Sequence, residues 1–218
     1  YGLIDTKGKL LLPITYDEIG SSNFDELNSD GLNFDDDIDI FRIESNEKYG
    51  YANTKGEIIV NPTYDSAGSF SEGYADVCNN EKYGFIDQKG KLVIPCQYDK
   101  TLSFKENVCG VCVGEKWGVI NKKGKYIANP KYDSMSSYSE GYAAIKKDDK
   151  WGYIDTKGKE VIKTKYVDAY SFINGKAVVE DSKNKLGIIN TNDKWLKTIK
   201  YDIYPIHPRL SAVSYTHL

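Results

Sequence analysis

The feature that most constrains this chain is a spacing. Aligned on pairs of a large ring followed by glycine, the sequence gives Tyr1-Gly2, Tyr49-Gly50, Tyr83-Gly84, Trp117-Gly118 and Trp151-Gly152, with Leu186-Gly187 as a sixth, degenerate copy. The steps between them are 48, 34, 34, 34 and 35 residues, and a fixed period in this range is the mark of a repeat architecture. A tyrosine falls 15 residues after the head of each copy, at Tyr16, Tyr64, Tyr98, Tyr132, Tyr166 and Tyr201. Aspartate follows it in every copy except the fifth, where Val167 stands. The phase predicts a single array over residues 1–212, with units starting near 1, 49, 83, 117, 151 and 186.

Each unit reads as short strands joined by tight turns. Segments such as Tyr74-Ala75-Asp76-Val77-Cys78 and Tyr142-Ala143-Ala144-Ile145-Lys146 alternate small or branched residues with polar ones, the period of a half-buried strand. A polar loop follows, and a second strand then opens with the ring and glycine. Glycine behind a ring inside a strand implies a close approach by a neighbouring side chain or backbone. The second strand ends in Asp5 to Lys9, Asp87 to Lys91, Asn121 to Lys125 or Asp155 to Lys159, where Asp or Asn can accept from the backbone two residues on and glycine supplies a positive φ. That combination predicts a type I turn with a glycine bulge. The third strand is an apolar run, Leu10-Leu11-Leu12 or Leu92-Val93-Ile94, expected to stop at Pro13, Pro62, Pro95 or Pro130 because proline lacks the ladder N–H. An irregular stretch then leads to a ring at constant distance, Phe70, Phe104, Tyr138 or Phe172, expected to plug the seam between units.

The pattern at Lys150 to Ile162 followed by Tyr166 resembles the bacterial WG-repeat (KWG) proteins, and the resemblance runs over residues 1 to about 202 in six copies. Tyr replaces Trp in three copies, and the sixth has Leu186 and an Asp193 in place of the turn glycine. The resemblance implies β-rich repeats without an assigned enzymatic activity. Tyr49, Gly50, Tyr64, Asp65, Tyr83, Gly84, Tyr98, Asp99, Trp117, Gly118, Tyr132, Asp133, Trp151 and Gly152 are read as its structural motif, since a residue that recurs in one phase serves every unit alike. No catalytic, cofactor-binding or metal-binding residue is assigned.

A hairpin unit of about 34 residues cannot bury its own apolar face, so stacking must make the core. The expected fold is all-β: short antiparallel meander units in an open superhelical solenoid, with propeller-like closure as the alternative. Propeller blades usually take four strands and about 40 residues, and 34 residues look short for that.

The period breaks once. The surplus of the first unit lies at residues 23–39, with seven acidic residues and no basic one. It reads as a solvated loop on one face of the array. Glu26, Asn28, Asp30, Gly31 and Asp37 fall at calcium-loop offsets, but an EF-hand wants Asp first, a bidentate Glu last and flanking helices. The six final residues, Val213 to Leu218, resemble a translated sequencing adaptor and are read as a scar, and the motif already under way at Tyr1 reads as a piece of a longer chain.

Function is constrained mainly by exclusion. With 29 basic against 32 acidic residues and a net charge of −3, the chain offers no concentrated basic face for nucleic acid. No apolar run approaches the roughly 18 residues that span a bilayer. Cys109 and Cys112 have metal-pair spacing, yet residues three apart on a strand point to opposite faces, which argues against a shared zinc or an active dithiol. Cys78 and Cys112 hold equivalent positions in successive units and could approach each other, and Cys96 completes the set. His207 stands where other copies have their closing ring and is read as packed. Lysine outnumbers arginine 27 to 2, which suggests an AT-rich bacterial genome. The chain is expected to be a non-catalytic scaffold for a protein or peptide, with carbohydrate or cell-wall binding through exposed aromatic residues as the alternative; a line of solvent-facing rings would favour sugar.

Overall fold

The computed structural model describes residues 1–20 and 40–199. The acidic insertion at 23–39, Tyr201, His207 and the residues read as a scar lie outside them. The described residues are all-β, arranged as consecutive antiparallel sheets. The first is a pair, β1 (Leu3–Ile4) with β2 (Leu10–Leu12). Five four-stranded sheets follow in chain order: β3 (Glu18–Gly20), β4 (Ile40–Ser45), β5 (Lys48–Asn53) and β6 (Ile58–Tyr64); β7 (Ser66–Ala67), β8 (Tyr74–Asn79), β9 (Lys82–Asp87) and β10 (Leu92–Tyr98); β11 (Lys100–Thr101), β12 (Val108–Val113), β13 (Lys116–Asn121) and β14 (Tyr126–Tyr132); β15 (Ser134–Met135), β16 (Tyr142–Lys147), β17 (Lys150–Asp155) and β18 (Glu160–Tyr166); β19 (Asp168–Ala169), β20 (Lys176–Glu180), β21 (Leu186–Asn190) and β22 (Trp195–Thr198).

Four strands fit into 34 residues because the first of each sheet is only two or three residues long. It directly follows the Tyr-Asp pair, in the stretch expected to be irregular, and corrects the inference that the period is too short for a four-stranded unit. The sequence copy and the sheet are also out of step. A copy counted from its ring-glycine pair supplies the last two strands of one sheet and the first two of the next, so the covalent repeat itself ties neighbours together.

The core lies between sheets. Among the described residues, five apolar clusters each join two consecutive sheets, and none joins the first sheet to the sixth. In every unit the two residues after the glycine face opposite ways. Phe85 packs forward against the fourth sheet while Ile86 packs back against the second, and Tyr153 and Ile154 repeat the division. Sheets buried on both faces explain the continuous apolar runs of the middle strands. The seam rings behave as expected: Phe104 and Phe172 are wholly buried, and Phe104 meets Phe85 edge-on with centroids 4.8 Å apart, a favourable aromatic geometry.

Prolines do not end the fourth strand. β6, β10 and β14 run through Pro62, Pro95 and Pro130 to the tyrosine, each with a register shift around the proline. The strand lies on the sheet edge, and the proline sits in a bulge where no ladder N–H is required. Of the four prolines expected to end a strand, Pro13 alone follows its strand, β2.

A chain of carboxylates links the units. Glu72 accepts the backbone N–H groups of Glu106 and Asn107 at 2.5 and 2.9 Å, Glu106 accepts that of Gly141 at 2.7 Å, and Glu140 accepts those of Asn174 and Gly175 at 2.6 and 2.8 Å. Each caps the equivalent turn one repeat further on.

Candidate functional site

The motif residues assemble around the third and fourth strands of each sheet. The ring of the ring-glycine pair lies directly across from the recurrent tyrosine: Tyr49 opposite Tyr64, Tyr83 opposite Tyr98, Trp117 opposite Tyr132 and Trp151 opposite Tyr166. Cross-strand aromatic pairs of this kind stabilise a sheet. The glycine lies under the bulge of the fourth strand. A Cβ on Gly50, Gly84 or Gly152 would stand 2.3 or 2.4 Å from a backbone carbonyl oxygen of that strand, and one on Gly118 would stand 2.7 Å away. The close approach read from the sequence is therefore to backbone, and it explains glycine without any appeal to positive φ.

Aspartate of the Tyr-Asp pair serves two partners. Asp99 takes the Lys82 ammonium on one oxygen and the Gly114 N–H, at 2.8 Å, on the other. Asp65 does the same with Lys48 and Asn80, and Asp133 with Lys116 and Asp148. The N–H belongs to a two-residue hairpin turn in the next sheet, whose central residues, such as Asn80 and Glu81 with φ of 50° and 61°, are both left-handed, as a type I′ turn demands. The lysine hydrogen bond, followed by the backbone N–H for Asp65 and Asp99, holds these carboxyls below their usual range. Lysine likewise dominates at Asp133. Where the fifth copy substitutes Val167, the corresponding turn changes as well: Asp181 accepts the N–H groups of Lys183 and Lys185 at 2.8 and 3.0 Å and closes its own loop. In the degenerate sixth copy, Asp193 adopts the left-handed conformation, with φ of 62°, and accepts from Lys165 and the Tyr166 hydroxyl.

Cys78, Cys96, Cys109 and Cys112 are free thiols. Burial pushes the Cys109 thiol far up, and its Sγ donates to the Leu102 carbonyl oxygen at 2.8 Å. Among the described residues no cluster of three or more His, Cys, Asp or Glu could hold a metal ion. No helix there is long and apolar enough to cross a membrane.

Sequence reasoning missed a surface. Leu10 opens β2, Ile58, Leu92 and Tyr126 open the fourth strands of the next three sheets, and all are exposed. They share one phase, nine residues after the ring, and Lys9, Lys91 and Lys125 precede three of them. The signal was legible as a constant offset, but apolar residues at the head of an apolar strand read as core. Of the recurrent rings, Tyr49, Tyr83, Trp117 and Trp151 are half-buried, and the seam rings are buried or nearly so.

The family model described as "WG containing repeat" matches residues 1–26, 49–83, 83–117, 117–151 and 151–185. No curated protein sequence matches the chain. Among solved structures, the chain is similar to BamB from Moraxella catarrhalis, with 9% identity, a TM-score of 0.42, and 74% of this chain and 58% of that one covered. It is also similar to Kluyveromyces lactis Hsv2, with 8% identity, a TM-score of 0.46, and 74% and 60% covered. For the WD40 beta propeller domain of Doa1 the values are 13%, 0.35, 75% and 66%. The chain thus spans less than two thirds of the length of each.

Proposed function

The chain belongs to the family of WG-containing repeats, and on that premise we propose that it is a non-catalytic scaffold whose outer strand edges dock a protein or peptide. The row Leu10, Ile58, Leu92 and Tyr126 carries the reading, because it presents one exposed apolar side chain at the same place in each of the first four units, Glu160 standing there in the fifth. Single exposed apolar residues are ordinary, but their recurrence at one offset in four successive units supports a shared contact role. Lysines beside the row suit an acidic, partly apolar segment. Pro62, Pro95 and Pro130 sit on the same edge strands and discourage pairing with a second copy.

Panning displayed random peptides on the whole chain tests this, with a Leu92→Asp/Tyr126→Asp variant as the comparison. Acidic, apolar peptides that prefer the native chain at least tenfold are expected. Peptides that bind both equally would remove the row from the function. The carbohydrate reading would instead gain from a glycan signal lost on Trp117→Ala.

A further inference from the structure

A regular array makes its exceptions visible, and three of them meet between the third and fourth sheets. At the middle of the second strand the units carry Arg42, Asp76, Gly110, Ala144 and Val178. On the short first strand of the following sheet the facing residues are Ala67, Thr101, Met135 and Ala169. Just beyond each sheet's own short strand stand Gly68, Leu102, Ser136 and Tyr170, with Gly20 ending β3. Small or apolar residues fill the later seams, as where Gly110 faces Leu102 and the Met135 sulfur. Arg42 is charged but occupied: it bonds the Ala67 carbonyl oxygen at 3.2 Å, lies 3.7 Å from Glu18, and sits over the Tyr49 ring.

Asp76 has no such partners. Its carboxylate lies where a side chain on Gly68 would stand, 2.2 Å from that Cβ position, so glycine there makes room for it. Among the described residues it forms no ion pair, and its own backbone N–H is the one group that favours its charge against burial. Across the seam, the Thr101 hydroxyl is buried with no hydrogen-bond partner. The Thr101 hydroxyl left unsatisfied costs stability, and it lines one cleft of about 540 Å³ with the half-buried Asp76, Gly68, Ser66, Tyr83 and Trp117. Exposed Lys100, and Asp99 already held by Lys82, also border it. The size is that of a small-molecule site.

We propose that this cleft binds a small organic cation through a primary ammonium group. The ammonium supplies the positive charge that Asp76 lacks, Tyr83 and Trp117, which line the cleft, offer apolar surface to the stem, and the Thr101 hydroxyl gains a partner. The inference is independent of the peptide-docking row, which lies on the opposite, outer strands of the sheets.

The probe is n-butylammonium, titrated into the whole chain at neutral pH and followed by Trp fluorescence and amide NMR shifts, with 1-butanol as the uncharged mimic. Saturable binding in the millimolar range is expected for the amine, and at least tenfold weaker binding for the alcohol. Asp76→Asn should lose the difference. A Gly68→Leu/Asp76→Gly variant copies the residues of the next unit, keeps the fold, and should lose binding altogether. Equal binding of amine and alcohol, retention of amine binding in either variant, or no saturation by the native chain would each overturn the proposal.

Discussion

At the scale of single residues the array divides into those the backbone requires and those it merely tolerates. Gly84 is required, since any Cβ would strike the Ile94 carbonyl oxygen at 2.4 Å. Gly84→Ala should therefore cost about 1–3 kcal/mol, the usual penalty for overpacking, measured by urea denaturation. Asp76 is tolerated. Burial raises its carboxyl pKa in the folded state, so the folded chain favours the protonated form and loses stability as pH rises from the unfolded carboxyl range through the folded value. Asp76→Asn should consequently raise the melting temperature at pH 7, and the gain should vanish near pH 3, where both chains are uncharged at this position. Residues of the required kind were legible in the sequence because each demands one residue type at one offset: Asn53 or Asp87 to accept two turn N–H groups, Gly90 with its φ of 75°, and Phe104 for the seam. Asp76 was not, because a polar residue on a half-buried strand reads as the solvent side, and both sides of these sheets are covered.

Elements show where reading by residue type runs out. The short strands Ser66–Ala67, Lys100–Thr101, Ser134–Met135 and Asp168–Ala169 share no chemistry, since only their backbones enter the ladder, and a two-residue strand has no period to detect. The prolines misled for the related reason that a strand edge asks less of the backbone than a strand interior does. The aspartate clamp was legible as recurrence, but its partners were not, because Lys82 lies 17 residues before Asp99 and the capped turn 15 residues after it. Asp65, Asp99 and Asp133 have depressed carboxyl pKa values. Their contribution is thus complete above the unfolded carboxyl range and disappears as pH falls through the folded values. Asp99→Ala should lower the urea midpoint at pH 7, and the gap from the native chain should close near pH 2. Val167→Asp should bring no gain at all, because the turn it would cap is already closed by Asp181.

For the whole molecule, stability should behave as a sum of units and seams. Sequence copy and sheet are offset, so excising residues 83–116 joins Lys82 to Trp117 and rebuilds one complete sheet from two halves. That shortened chain should keep its β circular dichroism and unfold cooperatively, with a urea m-value reduced roughly in proportion to the residues removed. Removing half that length, residues 83–99, breaks the 34-residue phase, joins β8 directly to β11 without a third and fourth strand, and should abolish the cooperative transition; equal midpoints for the two deletions would show that register does not matter.

The forward-reaching glutamates give the array a direction. Glu72, Glu106 and Glu140 each hand a carboxylate to the unit ahead, while Asn174, at the same place one step later, has none to hand on. A unit duplicated upstream of that position would arrive with its own carboxylate and find backbone N–H groups waiting ahead of it, whereas one spliced in behind it would meet a neighbour with no carboxylate to offer. Growth of such a chain by gene duplication is thereby easier in its interior than beyond its sixth sheet.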